Sequence, residues 1–198
     1  MGCLKKILQI IILALALIGF VSIGGKEFLI EQYNKYFSMS QTHTLERARK
    51  LGDFTQISEE FSIDKAATAF GYQGVLAEHN ASGQKMIIIG AEKNKILTTE
   101  DFQNGNVEEK VNDLINKVKY QSVQVEDFTI IKQGTMTAYG KKVPYIRFSA
   151  KINKLPIGTV GGIISAVDMD EKSRMLISLN ENKKYSQLIT DEFFKKVR

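Results

Sequence analysis

The sequence predicts an α+β fold behind an N-terminal transmembrane helix. The folded part is expected to be a largely antiparallel sheet of about six or seven strands with two packed helices, in the order βββ-α-ββββ-α. Three observations predict this. Ile7–Gly25 is a run of 19 residues without a charge. Beyond it, β-rich segments are joined by short turns, which favours antiparallel pairing. Two stretches instead repeat their apolar residues at helical spacing. The expected division is 1–25 as cytoplasmic tip and transmembrane anchor, 26–52 as helical stalk, and 53–198 as the α+β domain.

As a helix the apolar run is about 28 Å long, close to the ~30 Å hydrocarbon core of a bilayer. A cleaved signal has a shorter apolar region, about 7–15 residues. A bacterial lipid-bearing cysteine follows its apolar run, whereas Cys3 precedes this one. Met1-Gly2-Cys3 looks like an acylation start, but Lys6 stands where the pattern wants Ser or Thr. An uncleaved single-pass anchor is therefore expected. Lys5 and Lys6 flank one side, while Lys26 and Glu27 cancel on the other. The positive-inside rule places the N-terminus in the cytoplasm and the domain outside the cell membrane. In KEFLIEQYNKYF, Tyr33, Tyr36 and Phe37 suit either a headgroup-level belt or packing on the domain.

A hydrophobic content of 43% and a charged content of 25% exclude wholesale disorder. The net charge is +5, and two of those charges are Lys5 and Lys6. The balanced remainder argues against nucleic-acid binding. Cys3 is the single cysteine, so the main domain holds neither a disulfide framework nor a cysteine zinc site.

FSIDKA alternates with a period of two. YQGVLAEH and QKMIIIGAE flank the turn NASG and form a hairpin. TTEDFQNGN reads as a polar loop. A helix then starts at Asn106, a good N-cap, with Glu108 and Glu109 in its first turn. Val107, Val111, Leu114, Ile115 and Val118 make its apolar face. FTIIKQGTMTAY and KVPYIRFSAKI flank a turn at Gly140-Lys141, with Pro144 expected near an edge or a bulge. TVGGIISAVDM and RMLISLNEN flank DEKS. A closing helix is expected from about Tyr185 to Lys196, with Leu188, Ile189, Glu192 and Phe193 placing it amphipathically.

With the elements in this order, residues 53–198 resemble the PsbP-like α/β/α sandwich. That fold includes a eukaryotic Ran-binding factor and bacterial envelope proteins such as DcrB. The phrases that carry the resemblance are GYQGVLAEH with SGQKMIIIGAE, GKKVPYIRFSA, and MLISLNEN before the last helix. The resemblance implies a binding or assembly factor rather than an enzyme. Envelope relatives are often lipoproteins, and this chain has an apolar helix instead.

No catalytic constellation stands out. His43 lies in the stalk. Glu78 and His79 are adjacent on a strand and point to opposite faces, so they do not form a metal site; His79 reads as an exposed turn histidine. Ser82 near His79 lacks the context of an activated nucleophile. Asp168, Asp170 and Glu171 cluster at a turn but lack the EF-hand pattern. GTVGG lacks the ending of a phosphate loop; Gly161 and Gly162 suggest a bulge or a close backbone approach.

The surface favoured for contact is the hairpin of Tyr139, Lys141, Lys142 and Tyr145, which offers aromatic area and positive charge to a partner or to anionic lipid. No cofactor is expected. The expected function is a non-catalytic, membrane-anchored binding or assembly factor for an envelope component. A small-ligand or ion sensor with a pocket between a helix and the sheet is the alternative, which lining by Glu78 or His79 would favour, and a hydrolase comes third.

Overall fold

The computed structural model describes residues 41–69, 72–91, 95–118, 125–152, 159–169 and 172–198. The expected anchor and most of the expected stalk lie outside the described residues. Among the described residues, no helix is long and apolar enough to cross a membrane.

Strand β1 (Phe61–Ala69), β2 (Tyr72–His79) and β3 (Lys85–Ala91) form one antiparallel meander. Strands β4 (Val125–Ala138), β5 (Lys141–Ile152), β6 (Thr159–Met169) and β7 (Lys172–Glu181) form a second. The two join where β7 pairs antiparallel with β3, giving a seven-stranded sheet in the order β1-β2-β3-β7-β6-β5-β4. The meanders follow from short turns. The join follows from composition: β3 reads KMIIIGA and β7 carries Met175 to Leu179, apolar or small on both faces, as suits the centre of a sheet.

Among the described residues, four helices accompany the sheet: α1 (Gln41–Ala48), α2 (Thr99–Gln103), α3 (Val107–Val118) and α4 (Gln187–Lys196). Alternation along each strand divides the core in two. On one face Val75, Met86, Ile88, Ile163 and Leu176 meet Ala48, Leu51, Phe193, Phe194 and Val197 from the α1 and α4 sides. On the other, Ile87, Ile89, Ile146, Phe148 and Met175 meet Leu97, Phe102, Val107 and Val111 from the α2 and α3 side. The α+β class and the antiparallel sheet are as the sequence predicts.

Several expectations change. TTEDFQNGN is not all loop, because it holds α2. Thr98 caps that helix: its hydroxyl accepts from the Asp101 N–H, and the Asp101 carboxylate accepts from the Thr98 N–H at 2.8 Å. Burial opposes the charge on Asp101, but Lys110 and these Thr98 bonds outweigh it and hold its pKa below the ordinary carboxylate value. The packed domain also begins before Asp53. The segment after α1 is clamped: Asp53 and Arg198 exchange two backbone hydrogen bonds, at 2.6 and 3.1 Å.

The closing helix starts at Gln187, two residues later than expected. Leu188 in its first turn is 80% exposed, while Phe193, Phe194 and Val197 face the core. Pro144 lies one strand in from the β4 edge, just beyond the β5–β6 ladder that starts at Tyr145. Its carbonyl accepts from the Ser165 hydroxyl at 2.7 Å. The bulges of this region fall in β4 instead, at Glu126/Thr129 and Ile130/Lys132.

Candidate functional site

Beside α1 the chain leaves a groove of about 420 Å³ against the edge strand β1. Its walls come from Leu45 of α1, from Phe54 and Ile57 of the following loop, and from Phe61 and Ile63 of β1. The period of two in β1 puts Phe61 and Ile63 on the α1 face. Phe61 and Phe54 are held from behind by Phe193, with ring centroids 5.2 and 6.3 Å away. The rim is polar, formed by Arg49, Asp53, Thr55 and Ser62. The Asp53 carboxylate accepts the Thr55 N–H at 2.9 Å, and this bond, aided by Arg49, holds its pKa below the ordinary value. An apolar floor with a charged rim suits an apolar side-chain cluster carried by a polar backbone. Sequence reasoning did not find this groove. Its walls come from three elements, and only the apolar period of β1 was a signal.

The favoured hairpin divides. Its turn is Tyr139-Gly140, not Gly140-Lys141, with φ of 52° and 69°, as a tight two-residue hairpin requires. Tyr139 and Tyr145 are each only 8% exposed. The Tyr139 hydroxyl donates to the Leu51 carbonyl at 2.7 Å, and the Arg174 guanidinium lies 4.5 Å from the ring centroid. Burial pushes the Tyr139 phenol up to about 12. Both aromatics therefore serve the core and offer a partner little area. Lys141 and Lys142 are exposed, and Lys141 Nζ donates to the Asp168 carbonyl at 2.8 Å.

His79 is 8% exposed rather than an open turn residue. The Phe61 ring packs against it, edge on, at 5.1 Å. Its Nδ1 accepts the Ser82 N–H at 3.2 Å, with the Ser82 hydroxyl at 2.9 Å. The Glu60 carboxylate is 3.8 Å from Nε2. The Ser82 hydroxyl also accepts the Gln84 N–H at 3.2 Å, so this cluster closes the β2–β3 turn. Glu78 points to the opposite face, where it and Asp64 flank Lys85. Burial, then the charge and hydrogen bond of Glu78, raise the Asp64 pKa against the pull of Lys85.

His43 falls within α1. Asp168 turns away from a metal role: its Oδ2 accepts from the Thr99 N–H at 3.0 Å and from the Thr99 hydroxyl, tying α2 to β6. Asp170 and Glu171 lie outside the described residues. Among the described residues, no group of three or more His, Cys, Asp or Glu could hold a metal ion. Gly161 and Gly162 are a close approach within β6 rather than a bulge, since the β5–β6 and β6–β7 registers run through them unbroken.

No protein-family model matches the chain, and no curated protein matches it. The solution structure of cyanobacterial PsbP (CyanoP) from Synechocystis sp. PCC 6803 is similar over 75% of this chain and 98% of that one, with 11% identity and a TM-score of 0.40. The likeness is one of fold, and nothing about activity follows from it.

Proposed function

We propose that the chain is a membrane-tethered, non-catalytic binding domain whose groove beside α1 takes an apolar segment of an envelope protein. The observation that carries this reading is the apolar lining of Leu45, Phe54, Ile57, Phe61 and Ile63 under a polar rim. The uncharged run Ile7–Gly25 supports an anchor, and Lys5 and Lys6 support a cytoplasmic N-terminus with the domain outside. An anchor would hold the groove at the membrane and raise its effective concentration for a partner there. A pocket lined by Glu78 or His79 would favour the sensor alternative, and neither residue lines this groove.

Leu45 is the residue to change, because it is 44% exposed and lines the groove. Leu45→Glu should leave the melting midpoint near that of the parent, as surface substitutions do. Crosslinking and pull-down from membranes with the full chain should then lose partner recovery about tenfold, the effect of ~1.4 kcal/mol. Equal recovery from the variant and the parent would sink the groove as the binding surface.

A further inference from the structure

We propose that the Arg147 corner of the sheet binds a phosphate group. Arg147 lies on β5, on the face that α4 covers, directly across from Lys132 of edge strand β4. Its guanidinium sits 5.2 Å from the centroid of the Tyr185 ring. Its Nε is buried and has no hydrogen-bond partner. None of the ion pairs among the described residues includes it.

Among the described residues, no acid forms an ion pair with Arg147. Burying an N–H donor without a hydrogen-bond partner is costly. Lys132 adds a second positive charge, and it is exposed. The acid on the α4 side, Asp191, has its carboxylate held by Gln187 Nε2 at 2.8 Å. Tyr185 lies against the guanidinium, and the buried Nε–H is left to be satisfied.

The neighbourhood suits an oxyanion. Tyr145 stands on the same face of β5, two residues away. A Cβ at Gly134 would lie 2.7 Å from the Tyr145 hydroxyl, so the absence of a side chain at Gly134 lets that hydroxyl reach over β4. Beside it, β4 breaks register between Ile130 and Lys132, which bends the edge. A tetrahedral phosphate matches the set: a planar fork for two oxygens, a mobile ammonium for a third, and a phenol within the same corner. The phosphate could belong to a lipid headgroup or to a soluble compound. The site is separate from the groove, so either can fail without the other.

The test uses the full chain in uncharged maltoside micelles and follows the side-chain Nε–Hε nuclear magnetic resonance signal of Arg147, identified by its loss in Arg147→Met. One arm titrates inorganic phosphate. The other titrates a short-chain phosphatidylglycerol below its own micelle threshold. Chloride at matched ionic strength is the reference for both. The expected result is a saturable shift with a midpoint on the order of 1 mM, weakened roughly threefold in Lys132→Gln, the size of one exposed charge contact. Saturation by both ligands, or by lipid alone, assigns the corner to headgroup phosphate. Saturation by inorganic phosphate alone assigns it to a soluble phosphate compound. A signal that moves no further than in chloride, in both arms, overturns the proposal.

Discussion

Replacing Gln84 with leucine is expected to cost about 3 kcal/mol or more of stability, since each buried polar group left unpaired costs ~1–3 kcal/mol. Gln84 is fully buried at the β2–β3 turn. Its Nε2 lies 2.9 Å from the Ser186 carbonyl, 2.9 Å from Thr190 Oγ1 and 3.0 Å from Ser178 Oγ. Its Oε1 accepts the Ser186 N–H at 2.8 Å. Ser186 is the N-cap of α4, yet its own side chain makes no capping bond. Gln84 thus satisfies the start of a helix about a hundred residues away in sequence and pins it to β3 and β7. Leucine fills similar space with no polar atom. The thermal midpoint should fall by roughly 6–12 °C. Thr190 keeps Ser178, Tyr185 and the Ser186 carbonyl as partners, so the loss falls chiefly on the Ser186 N–H. A Gln84→Leu midpoint within roughly 2 °C of the parent would show that the network contributes little.

Gly162→Ala should be comparably damaging, for a different reason. A Cβ at this position would stand 2.1 Å from the Ser178 carbonyl oxygen of the paired strand and 2.9 Å from Leu179 Cδ2. The first contact is backbone, so rotation of a side chain cannot relieve it. Strand β6 would have to move off β7 in the middle of the sheet, at an expected cost of at least about 3 kcal/mol. Gly105→Ala is the control. Its φ is +74° with nothing within 4 Å, so it should cost only about 1–2 kcal/mol of backbone strain. Equal melting curves for the two alanine variants would mean that β6 yields more readily than its packing implies.

The order of elements was legible because it rests on short-range signals. Period-two alternation marked the strands, and helical spacing with Glu108 and Glu109 in the first turn marked α3. What escaped depends on partners distant in sequence. Tyr139 looks like surface aromatic area until Leu51, 88 residues away, supplies its hydrogen-bond acceptor. The segment around Thr44–Leu51 looks like a polar stalk, because only Thr44, Ala48 and Leu51 of it are buried. Leu188 has the spacing of an inward residue, but Ile189, Phe193, Phe194 and Val197 already fill that side of α4. The capping box of α2, Thr98 with Asp101 three residues on, sits in a polar stretch that reads as loop. The groove and the Arg147 corner were the least legible. Each is assembled from elements far apart in the chain, and in neither does a motif mark the residues.

The junction between β3 and β7 has a consequence for how the chain is made. Ile88 pairs with Leu176, which is translated 88 residues later. Synthesis at ~5–20 residues per second leaves β3 without that neighbour for on the order of ten seconds. During that time KMIIIGA, charged only at Lys85 at its start, is a β-prone strand edge of the kind that recruits other chains. The slow, non-local step of folding is therefore also the one that removes the main aggregation hazard. A chain stopped before Lys172 should accumulate as insoluble material, while a full chain made under the same conditions stays dispersed. Equal solubility of the two would place the hazard elsewhere.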